Sequence, residues 1–178
     1  LPVDKLELEN LIGKAVILDF TSFAGELTAD DLEKAFQSTG TFGNSENISV
    51  LLLKTVDFSG RQKDIIDIVD ASSQGGGPSF QNEEHAEEKP DFVYLGESAA
   101  EWIVRKGFKT IGVDSFSVDN LCSENLPVHH TLVSKNVNIV ECLDLSSVEN
   151  GVYFFLCLPL KIEGCDAAPA RALLISYS

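Results

Sequence analysis

His129 and Glu141 are the residues of this chain best suited to chemistry. The chain holds three histidines, and two of them stand side by side as His129-His130. Downstream, Glu141 closes the apolar, β-prone run Val137-Asn138-Ile139-Val140. A carboxylate buried at such a place needs a partner, and a metal ion or an imidazole would serve. The pair alone leaves a plainer role open, that of polar side chains at the end of a strand. Asp114, Ser115, Ser117 and Asp119 invite a catalytic reading too, but their short spacing equally suits hydrogen bonds that shape a loop. No serine stands in a nucleophile-elbow sequence, so a Ser/His/Asp triad is not arguable.

The elements that must position this pair can be read from hydrophobic pattern and capping signals. Lys14 to Phe20 and Ile48 to Thr55 read as buried strands, and Lys109 to Val113 as a third with Asp114 at its C-terminal end. Thr28 with Asp31 resembles a capping box that opens a helix through about Phe36. Ser98 with Glu101 predicts another, with Ala99, Ala100, Ile103 and Val104 as its apolar stripe and Gly107 at its end. A short helix from His129 to Ser134 leads into a strand from Val137 to Cys142. Val152 to Leu158 and Ala172 to Tyr177 are the last strands. Late strands that follow one another without helices favour a mixed sheet. The expected fold class is α/β, one domain over 1–178, with a mixed sheet and flanking helices.

Residues 71–90 differ in composition. A run of serine and glycine ending at Pro78 is followed by acidic residues around His85. The stretch reads as a long flexible loop, and without a following Lys-Ser or Lys-Thr its glycines are no phosphate loop.

Bulk properties exclude several classes. With 13 basic and 28 acidic residues the net charge is −15, a field that repels nucleic acid and anionic membranes. The longest apolar run, Val152 to Leu160, is too short to span a bilayer. Cys122, Cys142, Cys157 and Cys165 form no Cys-x-x-Cys spacing, and Cys142 and Cys157 read as buried small hydrophobes. A reducing, cytoplasmic location fits this usage.

Four blocks, in order, carry a family resemblance. They are Leu6-Glu7-Leu8-Glu9-Asn10-Leu11-Ile12-Gly13, Ser98-Ala99-Ala100-Glu101-Trp102 with Gly112-Val113-Asp114-Ser115-Phe116-Ser117-Val118-Asp119, Pro127-Val128-His129-His130 through Glu141, and Leu158-Pro159-Leu160-Lys161-Ile162-Glu163-Gly164 with Ala168-Pro169-Ala170-Arg171. The chain resembles the cyclase family of metal-dependent hydrolases, which includes the bacterial kynurenine formamidases. The resemblance implies a swivelling β/β/α architecture and a divalent metal, zinc or manganese. It makes His129 and Glu141 two of the ligands, with Glu141 also handling a proton, and turns His130 elsewhere. It implies a small-molecule amide substrate, N-formyl-kynurenine in the formamidases, and a homo-oligomer. Phe58, Phe80 or Phe92 could wall the substrate. Arg171 is expected in a structural ion pair.

The chain departs from the family in one respect above all. The motif His-x-Gly-Thr-His-x-Asp-x-Pro-x-His, which supplies the other ligands, is absent. There is also no methionine. An N-terminal segment is therefore expected to be missing, by truncation, by processing or because a second chain carries it. Where the family often has Thr-Gly-Trp, this chain has Thr55-Val56-Asp57, which leaves the substrate open. The alternative reading is a metal-free relative that acts as a binding or assembly module.

Overall fold

Strand β1 (Ile12–Asp19) is apolar at consecutive positions because both of its faces are covered. Val16 and Leu18 enter one core, and Ala15 and Ile17 enter another. The structure, a computed structural model, describes residues 2–40, 47–55 and 92–177. Expectations for the 71–90 loop, Phe58, Phe80 and His85 lie outside those residues. Two 3₁₀ turns, Val3–Lys5 and Leu8–Asn10, precede β1. The other strands are β2 (Gly25–Leu27), β3 (Ile48–Lys54), β4 (Val93–Leu95), β5 (Thr110–Val113), β6 (Asn138–Val140), β7 (Gly151–Pro159) and β8 (Ala170–Ser176). The helices are α1 (Ala29–Ser38), α2 (Glu97–Lys106) and α3 (Pro127–Ser134).

Six strands form the main sheet in the order β6-β5-β3-β1-β7-β8, and β2 pairs with β4 in a small second sheet. The pairs from β1 through β3 and β5 to β6 are parallel, while β1–β7 and β7–β8 are antiparallel. This is the expected single α/β domain with a mixed sheet. The three helices among the described residues lie on one face, where Leu32, Trp102, Ile103 and Leu132 pack on Val16, Leu51 and Ile111. Among the described residues the opposite face is covered more thinly, by Leu11, Leu143 and Leu145 over Ala15, Leu52 and Phe155.

The two helix-start signals fare differently. Thr28 and Asp31 form the expected reciprocal box: the Asp31 N–H donates to Thr28 Oγ1 at 3.4 Å, and the Thr28 N–H to Asp31 Oδ2 at 3.0 Å. Helix α2, by contrast, starts earlier than predicted, with Gly96 as its N-cap and no side-chain cap. The Gly96 N–H donates to Leu27 O at 2.9 Å, so β2–β4 pairing sets the start. Ser98 is then free to accept the Ala29 N–H at 3.2 Å, an otherwise orphaned donor in the first turn of α1. Gly107 ends α2 in the left-handed region, as expected, with φ of 84°.

Two further expectations are corrected. Cys157 is buried, but Cys142 is exposed because the chain turns there with φ of 61° instead of continuing β6. Arg171 stands exposed on β8 opposite Leu158 and makes no ion pair among the described residues, since no carboxylate lies on either of the last two strands.

Helices α1 and α2 are clamped by one carboxylate. Glu33 accepts from the Trp102 indole N–H at 2.6 Å and pairs with Lys106 at 2.8 Å, while Phe36 meets the Trp102 ring edge-on at 5.3 Å. Lys106, then Trp102 and Gln37, draw the Glu33 carboxyl from 4.5 down to about 2. A carboxyl depressed in the folded state stabilises fully above its unfolded value. That contribution fades as pH falls from 4.5 and is gone below about 2. Trp102 is the sole tryptophan and reports on this contact directly. Glu33→Gln should lower the urea midpoint read by Trp102 fluorescence at neutral pH, and the gap to wild type should narrow steadily on acidification. A gap that does not change with pH would show the carboxylate is not what holds the helices together.

Candidate metal centre

The site lies beyond the C-terminal ends of the parallel strands, where open sheets of this kind place their chemistry. Strand β5 runs into Asp114, β6 into Glu141, and helix α3 carries His129 in its first turn. Pro127 opens α3 with a preset φ and no N–H to satisfy. Two residues beside these elements, Leu126 before α3 and Cys142 after Glu141, hold left-handed backbone with φ of 43° and 61°. Neither is a glycine, and such conformations cost of order 1–3 kcal/mol each and collect at functional sites.

The His129 ring is engaged on both nitrogens. Nδ1 lies 2.7 Å from Asp119 Oδ2, and Nε2 lies 3.4 Å from Glu141 Oε1. The first distance falls in the range of a charge-assisted hydrogen bond, and the second exceeds it. Glu141 Oε1 accepts the Val118 N–H at 2.9 Å, and among the described residues its Oε2 makes no hydrogen bond. Both side chains are partly open, His129 at 29% and Glu141 at 27% exposure. The Asp119 side chain is 1% exposed.

These two donors suit one divalent cation. With metal–ligand bonds of about 2.0–2.1 Å, a separation of 3.4 Å subtends about 110° at the ion, close to the tetrahedral angle. An imidazole nitrogen and a carboxylate oxygen are also the donor types zinc and manganese take. Among the described residues no third His, Cys, Asp or Glu joins them in a metal-sized group. Both side chains line an open trough of about 1540 Å³, together with Leu143, Phe155 and Leu174.

The remaining sequence candidates separate cleanly. His130 is exposed and has no part in the cluster. Asp114 accepts the Thr55 N–H at 2.8 Å and the Thr55 hydroxyl at 2.6 Å, tying the ends of β3 and β5. Ser115 Oγ donates to Ser117 O at 2.9 Å, so Asp114 and Ser115 do shape the loop. Phe92 packs on Tyr94 with ring centroids 5.8 Å apart. Asp119 is the residue that sequence reasoning undervalued. One signal could have found it: Leu126 cannot cap a helix that begins at Pro127, so α3 needs an acceptor from elsewhere.

The Cyclase family model matches residues 1–120 of the 178. A kynurenine formamidase of Bacillus cytotoxicus is 35% identical over 170 residues, covering 95% of this chain and 65% of that protein. That match is long enough to include His129 and Glu141. A kynurenine formamidase of Maricaulis maris is 40% identical over 85 residues, 48% of this chain and 41% of that protein. Among solved structures, a potential metal-dependent hydrolase with cyclase activity superposes with a TM-score of 0.68 at 28% identity, covering 98% of this chain and 70% of that one. The chain thus spans less than two thirds of the length of these formamidases. The match over two thirds of the sequence and the superposition agree, and the chain belongs to the Cyclase family.

Proposed function

We propose that the chain carries part of the metal centre of an amide hydrolase of the arylformamidase kind, with N-formyl-kynurenine as the substrate its relatives' names suggest. His129 Nε2 and Glu141 are two ligands of a zinc or manganese ion, and further ligands come from outside the described residues. The observation that carries this reading is the 3.4 Å gap between Nε2 and Oε1. It is longer than the usual charge-assisted hydrogen bond and suited to two bonds to one ion.

A metal held there would polarise the scissile carbonyl and lower the pKa of bound water. The chain's own residues then have separate tasks. Glu141 Oε1 stays fixed by the Val118 N–H, and Oε2 is the atom that takes a proton from attacking water and returns it to the leaving amine. The open trough leaves access for a small aryl amide. A second reading, a metal-free binding module, draws on the finding that only two donors converge among the described residues.

The two readings separate by experiment. The chain joined to a segment bearing the family's histidine motif should gain tight metal binding and aryl formamide turnover together. In that protein Glu141→Gln should lower turnover by about 100-fold or more with circular dichroism unchanged. Turnover in that variant within a few-fold of the parent, or no metal bound by the joined protein, would favour the binding module. On the same protein His129→Asn should lower metal affinity by about 100-fold, and His130→Asn by less than about threefold. Equal losses in the two variants would place the ligand wrongly.

The proposal includes a second copy of the chain as partner. Leu158 on β7, Leu173 and Ile175 on β8, and Tyr177 just after it form an exposed apolar strip. These strands contain no acidic residue in a chain of net charge −15, so two such strips meet without carboxylate repulsion. Among the described residues β8 ends the sheet, and that edge favours the same association. Sedimentation velocity should show a dimer or larger that Ile175→Lys converts to monomer. A compact monomer at micromolar concentration would remove this part of the proposal.

A further inference from the structure

We infer that Asp119 is the positioning residue of this centre: its carboxylate holds His129 in the tautomer whose Nε2 lone pair faces Glu141, and it starts the helix that carries that histidine. The inference rests on the proposed ligand role of His129 and Glu141, and deepens it.

Two backbone N–H groups and a ring nitrogen of His129 converge on the Asp119 carboxylate. Oδ1 accepts the Val128 N–H at 2.9 Å, and Oδ2 accepts the His129 backbone N–H at 2.9 Å. Oδ2 also contacts His129 Nδ1 at 2.7 Å. Val128 and His129 are the second and third residues of α3, whose amides have no acceptor within the helix. Leu126 offers none, so a carboxylate from the loop after β5 takes the capping role at the positive end of the helix dipole.

The chemistry of the ring follows. Both carboxylate oxygens already accept backbone N–H groups, so the ring completes the set as a third donor and the proton at this contact sits on Nδ1. A neutral imidazole has one N–H, which leaves Nε2 bare and directed at the gap beside Glu141. That is the ligand-competent form, and the arrangement is the carboxylate–histidine pairing that orients metal-binding imidazoles. The preceding residue completes the device. The Val118 N–H holds Glu141 Oε1 at 2.9 Å, so two consecutive residues of one loop place both ligands.

That loop is itself anchored. Val118 O accepts the Leu95 N–H at 2.8 Å, linking it to β4. The Asp119 N–H donates to Ser117 Oγ at 3.2 Å, and the Cys142 N–H to Ser115 O at 3.0 Å. The second of these fixes the strained turn directly after Glu141. Asp119 therefore acts through His129 and not on substrate.

Nitrogen-15 NMR of the 178-residue chain, at alkaline pH and without metal, tests the assignment. His130→Asn and His85→Asn identify the ring of His129. The expected spectrum shows its proton on Nδ1 and a bare Nε2, which zinc then perturbs. Asp119→Asn should shift the ring toward the other tautomer and weaken zinc binding about 10- to 100-fold, because an amide offers acceptors to only part of the three-donor cluster. Should that variant fail to fold, the wild-type spectrum still decides. A proton on Nε2 in wild type would overturn the inference. So would a folded Asp119→Asn with the same tautomer and zinc affinity within about threefold. A bare Nε2 that zinc leaves unperturbed would instead overturn the metal reading, while Asp119 would keep its hold on the ring.

Discussion

One buried carboxylate organises the functional end of this molecule. Asp119 is sealed from solvent, and three nitrogens within hydrogen-bond distance satisfy its oxygens. Two belong to the first turn of α3 and one to the His129 ring. The constraint runs both ways. The helix cannot start where it does without the carboxylate, and the ring cannot face Glu141 unless the helix starts there. The site is thus built into the packing of the fold and not laid on its surface.

The sheet supplies the frame for this contact. β5 and β6 run parallel, so their C-terminal ends deliver the Asp114–Asp119 loop and Glu141 to the same edge. Close approach at β5 makes that possible. A Cβ on Gly112 would come 2.5 Å from Leu52 and 2.7 Å from Leu143, so glycine is needed for Leu143 to fold back over the strand. The Leu143 N–H reaches Val113 O at 3.1 Å, and the chain after Glu141 is held against β5. The helical face of the sheet is thick with aromatic and aliphatic side chains, whereas among the described residues the other is thinly covered and opens into the trough beside the site. Stability and access are therefore divided between the two faces.

Much of this was legible in the sequence, for physical reasons that can be named. The buried strands announce themselves because both faces of β1 and β3 are covered, which leaves continuous apolar runs. The Thr28–Asp31 box works because its partners are local. The Ser98–Glu101 signal misleads because a tertiary bond from Gly96 to Leu27 sets the helix start instead. Cys142 was misread for a related reason: apolar neighbours suggest a continuing strand, and nothing local reveals the left-handed turn there. His129 and Glu141 were visible as a pair through residue type and spacing. Asp119 was visible as a catalytic or loop-shaping aspartate, but its contacts lie nine and ten residues away, and only the missing cap before Pro127 hints at them. Outside the described residues, the 71–90 stretch remains a reading of composition alone.

The central claim is that His129 and Glu141 share a divalent ion, and anomalous scattering from crystals grown with zinc tests it most directly. The account predicts an anomalous peak about 2.0–2.2 Å from both His129 Nε2 and a Glu141 carboxylate oxygen. A map with zinc bound through His130, or with no peak between His129 and Glu141, would contradict it.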